Sequence, residues 1–131
     1  MKQANPQLPR PTQGELEILH VLWERGSSSV RDVHEVLARN RSAGYTTVLK
    51  LMQIMTEKGL VTRDDHQRTH LYEARLTREQ TQRQMVDNLL ERAFGGSASR
   101  LVLQALAARK ASAEEIAEIR DLLDRLEGGA R

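Results

Sequence analysis

The stretch from Gly44 to Gly59, Gly-Tyr-Thr-Thr-Val-Leu-Lys-Leu-Met-Gln-Ile-Met-Thr-Glu-Lys-Gly, sets the terms for the rest of the chain. Val48, Leu51, Met52 and Met55 recur at i, i+3, i+4 and i+7, the spacing of one apolar stripe along a helix. Thr46, Lys50, Gln53 and Glu57 recur on the opposite side, and Gly59 is placed to end the helix. Hydroxyls, an amide and an ammonium are groups that reach base edges and phosphates in a DNA groove. No carboxylate occurs between Glu35 and Glu57, whereas Arg39, Arg41 and Lys50 all fall inside that window. The pattern predicts a DNA recognition helix. Taken alone, the stripe fits an ordinary amphipathic helix with a solvated polar face equally well, so the neighbouring elements decide.

Upstream, Thr12 and Glu15 form a T-x-x-E capping box ahead of Leu16, Leu19, Leu22 and Trp23, and Gly26 ends this first helix. Trp23, the single tryptophan, is expected as a core anchor. Ser29 and Asp32 can cap a second helix whose buried face is Val33, Val36 and Leu37, and Asn40 to Gly44 form a polar turn. Helix, basic turn, helix is the helix-turn-helix order. Downstream of Gly59, Leu60 to Arg63 and Thr69 to Ala74 are β-prone runs joined by a polar segment, Asp64 to Arg68. A hairpin directly after a recognition helix is the wing of a winged helix.

The remaining residues change character. Thr77 with Gln80 opens a helix carrying Met85, Val86, Leu89, Leu90, Ala93 and Phe94, which stops at Gly95-Gly96. Ser97 or Ser99 begins a shorter one carrying Leu101, Val102, Leu103, Ala105 and Leu106. Ser112 with Glu115 caps a last helix with Ile116, Ile119, Leu122, Leu123 and Leu126 at helical spacing. These faces are too large for residues 77–131 to bury alone. The simplest cover is a second copy of the chain; packing back onto the winged helix is the alternative. The expected division is a flexible tail over 1–11, a winged helix-turn-helix over 12–76, and a helical dimerisation arm over 77–131. The fold class is α+β, mostly α.

Charge supports this division. Residues 1–76 hold 11 Lys+Arg against 9 Asp+Glu, and residues 77–131 hold 9 of each, so the net charge of +2 sits wholly in the first part. Cysteine is absent, which removes disulfides, thiol nucleophiles and thiolate metal sites and suits a reducing cytoplasm. The start Met1-Lys2-Gln3-Ala4-Asn5-Pro6 lacks the apolar core of a signal peptide, and no apolar run approaches the ~18 residues of a membrane span. No membrane insertion is expected.

Signals for chemistry are thin. His66 and His70 are four apart, but on a hairpin and without a third ligand. His34-Glu35 is not part of an H-E-x-x-H, since residue 38 is alanine, and the Gly-Gly-Ser at 95–97 fits a turn and helix cap better than a nucleophile elbow. No phosphate-binding or dinucleotide fingerprint occurs. An enzyme reading has nothing to stand on, and no cofactor or metal is expected.

The chain resembles the penicillinase-repressor (BlaI/MecI-type) family of winged-helix transcriptional regulators from about Thr12 to Leu126. The motifs that carry the resemblance are Glu15-Leu16-Glu17-Ile18 with Leu22-Trp23, Tyr45-Thr46-Thr47-Val48 through Glu57-Lys58-Gly59-Leu60-Val61, Leu71-Tyr72, Phe94-Gly95-Gly96-Ser97 and Leu101-Val102-Leu103. The resemblance implies a homodimeric repressor on an inverted-repeat DNA operator, dimerised through its C-terminal helices and released when a sensor protease system cleaves it. Copper-responsive relatives carry C-terminal cysteines, which this chain lacks. It also has Gln104-Ala105 where well-studied relatives carry a cleaved Asn-Phe bond, and Ile54 where many carry arginine.

On this reading Tyr45, Thr46, Thr47 and Lys50 contact bases or backbone, while Arg39, Arg41, Arg63 and Arg68 neutralise phosphates. Met85, Leu89, Leu90, Phe94, Leu101, Leu103, Leu106, Ile116, Ile119, Leu122 and Leu123 form the dimer contact, and proteolytic release falls within Ser99 to Arg109. The competing class is a winged helix that docks a protein partner without specific DNA binding.

Overall fold

Thr12 and Glu15 satisfy each other's backbone at the first helix start. The Thr12 amide donates to Glu15 Oε1 at 2.8 Å, and the Glu15 amide donates to Thr12 Oγ1 at 3.3 Å. Helix α1 (Gln13–Arg25) follows, then α2 (Val30–Asn40), α3 (Tyr45–Lys58), strands β1 (Val61–Asp64) and β2 (Leu71–Ala74), and helices α4 (Arg78–Ala93), α5 (Ala98–Ala108) and α6 (Ala113–Gly129). This is a computed structural model in which residues 10–40 and 43–129 are described. The same reciprocal capping starts α2 through Ser29 and Asp32, α4 through Thr77 and Gln80, and α6 through Ser112 and Glu115. At α2 the Ser29 amide, then its hydroxyl, hold the Asp32 carboxyl below the ordinary carboxylate range.

Two compact units divide after Val86. In the first, α1 contributes Ile18, Leu19, Val21 and Leu22 to a core completed by Val30 and Val33 of α2 and by Val48, Met52 and Met55 of α3. Met52 and Met55 are fully enclosed, so truncating either to alanine would cost on the order of 2–5 kcal/mol. Gly59 closes α3 in the left-handed region at φ 84°, donating to the Met55 and Thr56 carbonyls. A Cβ there would also meet the Arg75 guanidinium at 3.1 Å. The next two residues, Leu60 and Val61, turn straight back into the core.

The strands pair antiparallel with Val61 opposite Ala74 and Arg63 opposite Tyr72. On its other edge Tyr72 exchanges both backbone hydrogen bonds with Ser28, at 2.8 and 2.9 Å, so β2 lies between β1 and the connector before α2. Val61 and Tyr72 are buried while Thr62 through His70 are exposed. The base of the hairpin is therefore core and its tip is a projecting wing. Three helices with a wing of this kind make a winged helix.

The first unit runs past residue 76 because the start of α4 is held to α1. Trp23 Nε1 donates to the Leu76 carbonyl at 3.0 Å, Arg78 Nη2 donates to Glu24 Oε2 at 2.7 Å, and Thr81 is buried. Of the proline-rich tail expected over 1–11, residues 1–9 lie outside the described residues. The Arg10 carbonyl accepts from Lys58 Nζ at 3.4 Å.

The second unit holds the later turns of α4 with α5 and α6. Helix α4 stops where the Gly96 amide donates to the Leu90 carbonyl at 2.8 Å, with Gly95 and Gly96 both at positive φ. The Ser97 hydroxyl then accepts from the Arg100 amide and starts α5. None of the residues of α5 is buried. Among the described residues no helix is long and apolar enough to cross a membrane.

Candidate nucleic-acid interface

Helix α3 divides cleanly by burial. Val48, Met52 and Met55 face the core, while Tyr45, Thr46, Thr47, Lys50 and Gln53 are exposed. The four sequence-predicted contacts on this helix thus crowd onto its N-terminal half. That end has no side-chain cap, since Gly44 occupies the N-cap, and no acid in its first turn. Its leading amides and the positive end of its dipole meet no carboxylate of α3. A helix end of that kind favours an anion such as a phosphate.

The other predicted cations belong to other parts of the chain. Arg39 is exposed in the last turn of α2, and Arg41 lies outside the described residues. Arg63 and Arg68 are exposed on the wing. They differ in company: Arg63 Nη2 lies 3.4 Å from Asp65 Oδ2, whereas Arg68 and Lys50 carry no ion pair among the described residues. Arg68 is the less neutralised of the two wing cations.

The wing tip holds a second pair. Asp64 Oδ1 accepts from the His66 amide at 3.0 Å and lies 2.7 Å from His66 Nδ1. The His66 amide, then its ring, hold the Asp64 carboxyl below the usual range, and that same ring contact raises the His66 imidazole above its ordinary value. His70 is exposed ahead of β2, and the described residues contain no group of three or more His, Asp or Glu placed to hold a metal.

Two residues that brace α3 escaped the sequence reading. The His34 ring of α2 stands edge-on to Tyr45, centroids 5.7 Å apart at 79°, and so supports the first residue of α3. Lys58 Nζ lies 2.7 Å from Glu15 Oε1, tying the far end of α3 to α1. Neither has a local sequence signal, because both partners come from other helices.

The residues predicted for dimerisation fall into two groups. Met85, Leu89, Leu103, Leu106, Leu122 and Leu123 are exposed, Leu103 by 67% and Leu123 by 55%. Leu90, Phe94, Leu101, Ile116 and Ile119 are half-buried. Exposed leucines on successive helices leave an apolar surface uncovered in the single chain.

The sequence profile of the family described as penicillinase repressor matches residues 11–125. The chain belongs to the penicillinase-repressor family. It is 32% identical over 120 residues to the transcriptional regulator BlaI of Mycobacterium tuberculosis, a match spanning 88% of this chain and 86% of that one. It is 22% identical over 117 residues to the penicillinase repressor of Bacillus licheniformis, spanning 89% of this chain and 91% of that one. A solution structure of monomeric Bacillus licheniformis BlaI with the blaP half-operator matches at 19% identity and a TM-score of 0.49, over 55% of this chain and 88% of that one. Penicillinase repressors are transcriptional regulators rather than enzymes. Over this chain the family's extent takes in both the winged helix and the helices after it.

Proposed function

We infer that the chain is a homodimeric repressor that binds an inverted-repeat operator and blocks access to a promoter. The observation that carries this reading is the exposed, acid-free, uncapped N-terminal half of α3. In it, α3 enters the major groove, where Thr46, Thr47 and Lys50 meet base edges or adjacent backbone and Tyr45 packs beside them. Arg39, Arg41, Arg63 and Arg68 neutralise phosphates and fix register without reading sequence. Two copies present two α3 helices roughly 34–36 Å apart, one turn of DNA between half-site centres. RNA polymerase and the dimer then compete for the same stretch of duplex.

Dimerisation is supported by the uncovered leucines of α5 and α6, whose burial against a second copy removes apolar surface from water at about 25 cal/mol per Å². Release follows from the same feature. Cutting α5 between Ser99 and Arg109 leaves pieces too short to hold a helical face, so the two DNA contacts cease to act together.

The test begins by selecting bound fragments from the genome of the source organism. Affinity for a selected fragment is then titrated against salt. DNA binding through several phosphates predicts a steep fall, with a slope of roughly −0.9 per phosphate neutralised. No enriched fragment, or binding indifferent to salt, would favour the protein-docking class instead.

A further inference from the structure

Tyr45 stands three residues ahead of Val48, so it prolongs the buried stripe of α3 one step beyond the core. Val48 is 1% exposed, whereas Tyr45 keeps 47% of its surface in solvent. Its ring is thus half packed and half open. The His34 ring of α2 stands nearly perpendicular to it, with centroids 5.7 Å apart at 79°. Aromatic rings favour this arrangement because the positive edge of one meets the negative face of the other. Neither the Tyr45 hydroxyl nor the His34 ring makes a hydrogen bond among the described residues.

The backbone of His34 is held from both sides of its sequence position. Val30 and Val33 of the same helix are buried in the core, and Ser29 and Asp32 cap the helix start. Val48 holds the corresponding turn of α3 in that core. The two rings therefore meet between helices that are already packed, and His34 limits the torsions open to Tyr45.

We propose that His34 is a positioning residue for DNA binding: its ring keeps Tyr45 in the orientation from which the phenol hydroxyl donates to a backbone phosphate of the duplex. The proposal rests on the DNA-binding reading above, and both residues belong to the first unit. A phosphate is the acceptor because of the flank on which Tyr45 lies. In a helix-turn-helix the helix before the recognition helix crosses the DNA backbone, while the recognition helix turns its outward residues to the base edges. Contact with His34 puts Tyr45 on the flank of α3 that faces α2, apart from the outward Lys50 and Gln53. A donor there meets the rim of the groove, where the phosphates run. Ordering a free side chain on binding weakens affinity, and a ring held beforehand avoids much of that loss. Tyrosine has only two side-chain torsions, so one neighbour is enough to hold it.

The test uses the full chain, a single half-site duplex from a selected operator and a scrambled duplex of equal length, all at fixed salt. A half-site removes any dependence on dimerisation. Tyr45→Phe should lose about tenfold in affinity on both duplexes alike, because a phosphate contact carries no sequence information. His34→Ala should lose about fivefold, and His34→Phe, which restores a ring, should stay within about twofold of wild type. In the Tyr45→Phe background, His34→Ala should cause no further loss, since the hydroxyl it orients is gone. Wild-type affinity in His34→Ala would overturn the proposal, as would the same loss with and without the Tyr45 hydroxyl. A Tyr45→Phe loss confined to the selected duplex would place the hydroxyl on a base edge and overturn it too. Urea midpoints are read beside the affinities: a His34→Ala loss that follows a lowered midpoint and is not restored in His34→Phe marks a merely structural pair, which also overturns it. Wild-type protein with no salt-dependent affinity for either duplex would instead remove the DNA-binding reading on which the proposal stands.

Discussion

Lys58 Nζ lies 2.7 Å from Glu15 Oε1, joining the last turn of α3 to the first turn of α1. The Glu15 side chain is 3% exposed and also accepts from the Thr12 amide, so one carboxylate serves a helix cap and an interhelical ion pair. Lys58 retains 30% exposure. Lys58→Met should strand a buried carboxylate and cost about 2–3 kcal/mol, below the ~3–5 of a fully enclosed pair because the lysine keeps some water. Glu15→Gln preserves an acceptor for Thr12 and should cost about 1 kcal/mol. Urea unfolding of the two variants measures this, and a Lys58→Met midpoint equal to wild type would contradict it.

Base contact and phosphate contact separate by mutation. Lys50→Ala should weaken operator binding by about 1–3 kcal/mol and relax specificity at one position. Arg68→Ala should weaken all DNA alike and lower the salt slope by about 1. Mobility-shift titrations at several salt concentrations, on selected and scrambled duplexes, distinguish the two. Wild-type behaviour in both variants would remove these residues from the interface.

Leu123→Asp sets a carboxylate in the proposed apolar contact between copies. Sedimentation at micromolar concentration should show dimer for wild type and monomer for the variant. Operator affinity should drop far more than non-specific affinity, since only the former depends on two linked heads. A wild-type monomer would dispose of the arm's assigned role.

Induction should leave a mark on the polypeptide. If release is proteolytic, repressor recovered from cells with the target gene switched on should include a fragment ending between Ser99 and Arg109, detectable by intact mass. Full-length chain alone under those conditions would rule the mechanism out.

The wing tip should respond to pH in a defined sense. His66 is raised above 6.5 by Asp64, so its share of the contact is complete below 6.5 and is lost as pH rises through the raised folded value. Asp64 is lowered below 3.8, so its share is complete above 3.8 and is lost as pH falls through the lowered one. The pair is fully formed between those limits. Asp64→Asn should bring the His66 titration, followed by NMR, back towards 6.5; an unmoved midpoint would show that the contact does not form in solution.

What could be read from the sequence was what is local. The capping pairs Thr12–Glu15, Ser29–Asp32, Thr77–Gln80 and Ser112–Glu115 each span three residues, and each starts a helix in the structure. The stripe of Val48, Met52 and Met55 is periodic, and it is the buried face of α3. Contacts made across the chain were invisible. Lys58 with Glu15 spans 43 positions and Trp23 with Leu76 spans 53, and no spacing rule connects them. Trp23 was expected as a core anchor and does pack against the core, but its N–H is turned to the start of α4. Ser28 carries no strand signal of its own, yet it pairs with Tyr72 and so satisfies the second edge of β2.

Gly44 places thermal hardiness and regulatory output in opposition. Its backbone, at φ −73° and ψ 153°, suits any residue, and a Cβ there meets nothing within 4 Å. Aspartate at this position could supply the missing cap, with a gain of a few tenths of a kcal/mol over glycine and a further ~0.3–1 from the helix dipole. It would also plant a fixed negative charge where α3 is proposed to approach a phosphate. A library selected only for heat resistance would therefore drift towards repressors that survive better and regulate worse.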